Sequence, residues 1–181
     1  MRNILYTCLF LFCCLSMAGK VPTNQKIRLT ENWEYLKGDL GGIWEAVRPA
    51  SPGNPETVPV WQKVTLPHCF NAEDAVDPDV NYYQGPGWYK TLLTIDNPYA
   101  EGRVVLDFEG AGQKTKVYIY TTLVGEHVGG YDEWSVDITD AVKSFMADDQ
   151  LVKRFKGKVP LSIRCDNSCL LYTSDAADDL T

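Results

Sequence analysis

The sequence predicts an all-β fold, a β-sandwich with one short helix. Apolar and polar residues alternate with a period of two along several segments from Trp33 onward, which is typical of strands with one face on a core and the other in water. Gly, Pro and Asn separate these segments, and helical periodicity is nearly absent. Because two packed sheets hide such apolar faces economically, we expect a single antiparallel sandwich.

Six segments carry the alternating pattern. In RVVLDFEG, the side chains of Val104, Leu106 and Phe108 share one face, and charged side chains occupy the other. Each such segment must bury its apolar face against another one. The predicted strands are residues 60–66, 87–95, 103–110, 115–119, 132–138 and 159–165.

One short helix and two loops are predicted between the strands. TDAVKSF, residues 139–145, is predicted to be helical, with Thr139 as its N-cap and Asp140 near its positive end. Residues 38–59 are rich in Gly and Pro and are predicted to form a long loop, which is usually functional or mobile at that length. The charged segment 146–158 is predicted to be a solvated loop.

The stretch NYYQGPGWYK, residues 81–90, combines aromatic side chains with a bend. Gly85 and Gly87 permit backbone angles closed to other residues, and Pro86 fixes one angle, so the chain can turn sharply before Trp88. We expect the aromatic rings to cover one end of the sandwich. Stacking on a sugar ring is the alternative role for these side chains.

The amino terminus is predicted to be a signal peptide. Residues 1–18 contain one early positive charge, an apolar run and the small residues that precede a cleavage site, which would leave Gly19 as the mature start. The apolar run is too short to cross a bilayer. A lipid-anchored start at Cys14 is the alternative. We therefore expect an exported protein, periplasmic or extracellular.

The carboxyl terminus is predicted to be non-native. Residues 169–181 read CLLYTSDAADDLT, and this segment resembles the in-frame translation of a transposon-type DNA-library adapter. A short acidic tail is the alternative. With both ends set aside, residues 19–168 have the length of one domain with a single core.

Composition limits the partners and the redox chemistry. The net charge of −7 argues against nucleic acid or an anionic membrane as a partner, because neither binds an acidic surface without a basic patch. Of the six cysteines, only Cys69 and Cys165 lie within residues 19–168. We expect two separate buried thiols, and a bridge between them is the alternative in an oxidising compartment.

The sequence contains no recognisable catalytic or metal-binding constellation. His68 and His127 are the only histidines, too few for a typical zinc site, and each is expected to hydrogen-bond nearby backbone. The densest acidic cluster comprises Glu73, Asp74, Asp77 and Asp79. Mutual repulsion favours a solvent-exposed loop there, and a calcium site is the alternative. We therefore predict no catalytic residue, no metal and no cofactor in this domain.

Five longer segments add a family resemblance. They are WQKVTLPH (61–68), YYQGPGWYK (82–90), RVVLDFEGAG (103–112), VGEHVGGYDEWSVDIT (124–139) and LSIRCDN (161–167). In order and approximate spacing they resemble the N-terminal domain of glycoside hydrolase family 2, in its β-galactosidase-like members. The resemblance implies a galactose-binding-like jelly-roll sandwich that precedes an immunoglobulin-like domain and a catalytic (β/α)8 barrel.

One hairpin departs from the family pattern. Family members usually have an Asn-Gly type turn where this chain has Tyr120-Thr121. A β-branched threonine is unfavourable wherever a tight hairpin needs a positive φ. We therefore expect this hairpin to be longer or distorted.

The same resemblance identifies Asp166 and Asn167 as the expected substrate-binding residues. The family's matching acidic position ends the last strand, reaches the sugar pocket of the barrel and accepts hydrogen bonds from hydroxyl groups, with the next polar residue in support. A carboxylate suits that role because charge-assisted hydrogen bonds are stronger than neutral ones. A plain Asp-Asn turn is the alternative.

The function implied by the resemblance is that of a sugar-binding and scaffold domain. It would belong to a secreted glycoside hydrolase acting on a galactoside-type carbohydrate, with both catalytic glutamates on the barrel. Two alternatives stay open. A free-standing carbohydrate-binding module would present an aromatic strip on a sheet face, and a domain used only for protein contact would expose a large apolar patch.

Overall fold

The computed structural model describes residues 25–49, 59–96 and 101–168. The predicted signal peptide and the predicted non-native tail lie outside the described residues. The elements in chain order are β1 (Trp33–Lys37), α1 (Ile43–Val47), β2 (Gln62–Val64), β3 (Pro86–Leu93), β4 (Val105–Phe108), β5 (Lys114–Ile119), β6 (Thr122–Val128), β7 (Trp134–Asp137), α2 (Thr139–Met146), α3 (Asp149–Arg154) and β8 (Val159–Asp166). None of the helices in these ranges is long and apolar enough to cross a membrane.

Two antiparallel sheets form the fold, which confirms the predicted all-β class. The larger sheet has six strands in the order β2-β1-β3-β8-β5-β6, and the smaller sheet pairs β4 with β7. The last strand therefore lies in the middle of the larger sheet. β8 pairs with β3 over its full length, from Pro86 opposite Asp166 to Leu93 opposite Val159, and with β5 on its other side.

The core lies between the two sheets. Alternate residues of β8 point into it, and Val159, Leu161 and Ile163 are all buried there. The sheets approach closely at Gly125 of β6, where an added Cβ would lie 2.7 Å from Cγ2 of Val136 in β7. The absence of a side chain at residue 125 therefore allows this packing.

The described ranges contain three short helices where the sequence predicts one. In α2, Thr139 is the first helical residue rather than the cap. The capping acceptor is Asp137, whose Oδ1 accepts a hydrogen bond from the backbone N–H of Thr139 at 2.9 Å. The capping function thus falls two residues earlier than expected, on a carboxylate that ends the preceding strand.

The prediction of a solvated loop at residues 146–158 is wrong, because this segment contains α3. The Asp148 side chain accepts hydrogen bonds from the backbone N–H groups of Gln150 and Leu151 and caps the helix. Leu151 and Phe155 pack against the main core. Their burial gives this charged segment an apolar face, and so it folds onto the domain.

The predicted long loop at residues 38–59 contains α1. Ala46 and Val47 in this helix are buried together with Trp88, so α1 covers part of the face of the large sheet that lies opposite the main core. Residues 50–58 of this segment lie outside the described residues.

The hairpin between β5 and β6 is tight but irregular. Its turn has two residues, because Ile119 pairs with Thr122, so the expected lengthening is not observed. Tyr120, with a φ of 53°, takes the left-handed conformation, and Thr121 avoids it. The register shifts between Val117 and Tyr118. The irregularity therefore lies inside the strands.

Candidate functional site

The two residues expected to bind substrate lie at one end of the large sheet. Asp166 is the last residue of β8, opposite Pro86 of β3 and Lys114 of β5. The neighbouring Cys165 points into the core. Because side chains alternate along a strand, Asp166 points to the opposite face of the sheet.

The Asp166 carboxylate is held by two hydrogen bonds and one ion pair. Its Oδ1 accepts from the backbone N–H of Ser168 at 2.9 Å and from the Ser168 hydroxyl at 2.6 Å. Its Oδ2 lies 3.1 Å from Nη1 of Arg164. The bond to the backbone N–H two residues on is an Asx-type turn, so the turn considered as the alternative does form. A carboxylate offers about four acceptor positions, and this one therefore retains room for a further donor.

The electrostatic surroundings keep Asp166 ionised. Its side chain is 14% exposed, and burial alone would raise its pKa. The bonds from Ser168 and the positive charge of Arg164 outweigh that effect, so the pKa of Asp166 lies below the usual range. An ionised carboxylate at this position can accept hydrogen bonds from sugar hydroxyls.

Arg164 links Asp166 to the interior of the fold. Its Nη2 donates to Oδ2 of Asp39 at 2.9 Å, and Oδ1 of Asp39 accepts from the indole N–H of Trp88 at 3.2 Å. The hydrogen bond from Arg164 contributes most to lowering the pKa of Asp39. An open groove of about 320 Å³ adjoins this network, lined by Asp39, Gly41, Gly42, Ile43, Trp88, Lys116, Tyr118 and Arg164.

Asn167 joins the end of β8 to the segment that precedes β3. Its Nδ2 donates to Oδ1 of Asn71 at 2.8 Å and to the Tyr83 carbonyl at 3.0 Å. Its Oδ1 accepts from the backbone N–H of Gly85 at 2.7 Å. The amide is thus engaged on both sides, and this arrangement holds the neighbouring Asp166 in place.

The acidic cluster of residues 73–79 differs from the expected exposed loop at one position. Asp74 is only 6% exposed. Its carboxylate accepts from Nζ of Lys37 and the backbone N–H of Tyr83, each at 3.1 Å, and from Nδ2 of Asn71 at 3.0 Å. Burial alone would raise the pKa of Asp74, but these donors lower it. They compensate the carboxylate for the loss of water, which explains its burial.

The other acidic residues of the cluster, Glu73, Asp77 and Asp79, are exposed. The calcium alternative receives no support from their arrangement. Within the described ranges, no group of three or more His, Cys, Asp or Glu side chains could hold a metal ion.

The histidines bond to side chains rather than to backbone. Nδ1 of His68 lies 2.9 Å from the Tyr89 hydroxyl. Nε2 of His127 lies 3.0 Å from Oδ2 of Asp132, and its ring stacks on Trp134 with a centroid distance of 4.7 Å. The expectation of backbone partners is therefore wrong for both residues: Tyr35 and Tyr89 contact the His68 ring, and Trp134 and Asp132 contact the His127 ring.

The two cysteines are free thiols, as expected, but they are not both buried. Cys165 is buried on the core face of β8, and Cys69 is exposed. Burial raises the pKa of the Cys165 thiol to about 11. The expectation of two buried thiols is therefore wrong for Cys69. This residue lies in an irregular segment, immediately before the turns at residues 70–76.

The aromatic stretch at residues 81–90 serves mainly for packing. Trp88 and Tyr89 are buried, and the Tyr83 hydroxyl donates to the Pro86 carbonyl at 2.7 Å. Tyr82 is the exception, because 53% of its surface is exposed.

Sequence reasoning missed Arg164 and Asp39. Arg164 is two residues before Asp166 on a strand, so the alternation already places both on one face. This signal was available in the sequence. Asp39 is 125 residues from Arg164, and no local pattern could have joined them.

Comparisons with known proteins agree with this architecture. The family model described as "Glycosyl hydrolases family 2, sugar binding domain" matches residues 30–156. The structure of Parabacteroides merdae β-glucuronidase is 79% identical with a TM-score of 0.76, and it matches 81% of this chain and 19% of that one. Bacteroides uniformis β-glucuronidase 3 is 66% identical with a TM-score of 0.76, over the same shares of both chains.

A β-galactosidase is among the curated relatives. The Thermoanaerobacter pseudethanolicus enzyme is 30% identical over 112 residues, which are 62% of this chain and 14% of the relative. The chain therefore spans about one fifth or less of the length of these similar proteins.

Proposed function

Because the chain belongs to glycosyl hydrolases family 2 through its sugar binding domain, we propose that it forms the sugar-binding and scaffold domain of an exported β-glucuronidase. Within that enzyme, Asp166 would accept a hydrogen bond from a substrate hydroxyl, and Asn167 would hold the end of β8 in place. The observation that carries this proposal is the ionised Asp166 carboxylate with an acceptor position free at the end of the central strand.

The glucuronide replaces the galactoside expected from the sequence. Two structures of 79% and 66% identity are those of β-glucuronidases, whereas the β-galactosidase described above is only 30% identical. The larger identities carry more weight for substrate class because sugar-contacting positions differ between subfamilies of one fold.

The catalytic carboxyl pair is proposed to lie outside residues 25–168. Glycoside hydrolysis needs one carboxylic acid whose pKa is raised so that it can protonate the leaving group. Within the described part of the chain, every shifted aspartate pKa is shifted downwards. The aspartates concerned are Asp39, Asp74, Asp132, Asp137 and Asp166. Such groups are poor proton donors at neutral pH.

The free-standing carbohydrate-binding module is the weaker alternative. That function would require an aromatic strip on a sheet face. The exposed aromatic residues of the described ranges are Trp44, Tyr82 and Tyr131, which lie on α1 or in loops rather than on strands. This distribution supports a domain that acts together with a larger enzyme.

The substrate proposal is tested on the proposed full-length enzyme that contains this domain. We expect kcat/KM for an aryl β-glucuronide to exceed that for the matching β-galactoside by at least 100-fold. Equal values, or a preference for the galactoside, would overturn the glucuronidase assignment.

The role of Asp166 is tested in the same enzyme with Asp166→Asn. Hydrogen bonds to charged groups contribute about 1.5–3 kcal/mol, so kcat/KM should fall by about 10- to 150-fold. Asp107→Asn on β4 is the matched control and should leave kcat/KM unchanged. If Asp166→Asn also leaves it unchanged, Asp166 does not contact the substrate.

Export is tested by expressing the chain with its own amino terminus in a Gram-negative host. We expect the protein in the periplasm or medium, with Gly19 as its first residue by N-terminal sequencing. Retention in the cytoplasm with residues 1–18 attached would contradict the proposal.

A further inference from the structure

Two hydrogen bonds and one ion pair join four side chains in a continuous chain that ends at Asp166. The indole N–H of Trp88 donates to Asp39 at 3.2 Å, Nη2 of Arg164 donates to the other oxygen of Asp39 at 2.9 Å, and Nη1 of Arg164 lies 3.1 Å from Asp166. The first member, Trp88, is 2% exposed. We call these residues the Trp88–Asp166 chain.

The backbone places the members of this chain with little freedom. Arg164 and Asp166 are two residues apart on β8 and therefore share a face. Trp88 is directly opposite Arg164 in the register of β3 and β8. Asp39 follows β1, which is hydrogen-bonded to β3 on its other side. Three neighbouring strands of one sheet thus bring the groups together.

The guanidinium of Arg164 bridges two carboxylates. Its donors form a planar fork of fixed geometry, so the two bonds define the orientation of both partners. The side chains of Arg164 and Asp166 are 19% and 14% exposed. At that depth the pair is less screened by solvent than an ion pair on an open surface.

This charge balance is unfavourable for binding an anion directly. One positive charge faces two negative charges, and the remaining cation lining the adjacent groove, Lys116, pairs with Glu126 at 2.7 Å. A sugar carboxylate would therefore meet net negative charge. The chain is better suited to holding Asp166 than to binding a glucuronate carboxylate.

We propose that Arg164 and Asp39 are positioning residues for substrate recognition, which hold the Asp166 carboxylate so that its free acceptor position faces a sugar hydroxyl. The inference rests on the proposed contact between Asp166 and the substrate. Its physical basis is preorganisation, because a carboxylate already held in its bound orientation loses less entropy when the hydroxyl arrives.

The first test is a double-mutant cycle in the complete enzyme. Arg164→Gln should lower kcat/KM for an aryl β-glucuronide about tenfold in the wild-type background. In the Asp166→Asn background it should have almost no further effect, because the group to be positioned has lost its charge. An equal loss in both backgrounds would mean that Arg164 acts only on the fold, and would overturn the proposal.

The same cycle separates this inference from the proposed function. If Asp166→Asn itself leaves kcat/KM unchanged, the substrate contact fails, and the positioning role fails with it. If Asp166→Asn impairs the enzyme but Arg164→Gln does not, only the positioning role fails.

Two further variants keep the test decisive if Arg164→Gln folds poorly. Asp39→Asn retains the shape of the side chain and an acceptor for Trp88 but removes the charge that orients Arg164, so we expect a smaller loss of kcat/KM, about threefold. Arg164→Lys keeps the positive charge but lacks the rigid planar fork that orients both carboxylates, and kcat/KM should lie between those of wild type and Arg164→Gln. Values equal to wild type for both variants would overturn the proposal.

The matched control removes an arginine–aspartate pair in the smaller sheet. Arg103 donates to Asp137 with Nε at 2.8 Å. Arg103→Gln should change thermal stability but leave kcat/KM unchanged. A tenfold loss of kcat/KM in this control would show that any lost ion pair impairs the enzyme, which would contradict a specific role for Arg164.

Discussion

Among single residues, the buried Asp74 carboxylate predicts a pH dependence of stability. Its folded-state pKa lies below the ordinary value of 3.8 because Asn71, Lys37 and the Tyr83 amide donate to it. The stabilisation from these bonds is therefore fully present above pH 3.8 and is lost as the pH falls through the lower folded pKa. We expect Asp74→Asn to lower the free energy of unfolding at pH 7, with a deficit that shrinks below pH 3.8.

Urea denaturation at several pH values measures this effect. Asp79→Asn, which changes an exposed carboxylate of the same loop, is the matched control and should leave the free energy of unfolding nearly unchanged at each pH. A deficit for Asp74→Asn that stays constant from pH 7 to pH 3 would contradict a role for the ionised carboxylate.

Local pattern predicted some of the site residues and missed others. The position of Asp166 at the end of an alternating strand was readable from the sequence, and its contact with substrate stays a prediction. The burial of Asp74 differs from the expectation of an exposed acidic loop, because Lys37 and Tyr83 from other segments join the nearby Asn71 as donors to this one carboxylate. Contacts between distant segments cannot be read from a local sequence pattern.

At the level of the elements, α3 depends on its cap. Asp148 accepts from two backbone N–H groups at 2.9 and 3.1 Å. Loss of such a cap typically costs about 1 kcal/mol. We expect Asp148→Ala to lower the free energy of unfolding by about that amount, measured by urea denaturation, and Asp149→Ala one residue later to have a smaller effect. Equal losses would assign the effect to charge rather than to capping.

The contact between β6 and β7 is equally specific. A Cβ at residue 125 would lie 2.7 Å from the Val136 side chain, so Gly125→Ala should lower the free energy of unfolding by about 1–3 kcal/mol through overpacking. Because Val136→Ala removes the clashing methyl groups, the double variant should be more stable than the sum of the two single losses predicts. Additive losses would place the strain elsewhere.

Six of the eight strands in the described ranges were predictable, and two of the helices were not, for a common reason. The alternating pattern of a strand is visible after four or five residues, and all six predicted strands exist, four with shorter bounds and two, β5 and β8, one residue longer; β1 and β6 were not predicted. Helices α1 and α3 have five and six residues, too few for a helical period to stand out. Asp148 followed by Leu151 and Phe155 was a cap signal that could have been read.

At the level of the whole molecule, the domain should bind sugar only weakly by itself. Asp166 offers about one free acceptor position, and a single contact supports an affinity no tighter than about 1 mM. Titration calorimetry of the 181-residue chain with glucuronic acid and with galactose should therefore show no tighter binding. Micromolar affinity for either sugar would instead favour a free-standing carbohydrate-binding module.

The all-β class was predictable because alternation directly reflects burial on one side of a strand. The order of the strands was not, since β8 pairs with β3 and β5 across long stretches of chain. The sequence of β8 alone does not identify β3 and β5 as its partner strands. The family resemblance predicted the sandwich class and not this strand order.

The central position of β8 also constrains how the protein can be made. Before residues 159–166 leave the ribosome, β2-β1-β3 and β5-β6 are separate hairpin-like halves with no backbone hydrogen bonds between them. Each half then exposes unpaired strand edges that invite association with other nascent chains. Insertion of β8 is therefore expected to complete the large sheet late in folding, and the unpaired edges are most vulnerable just before that step.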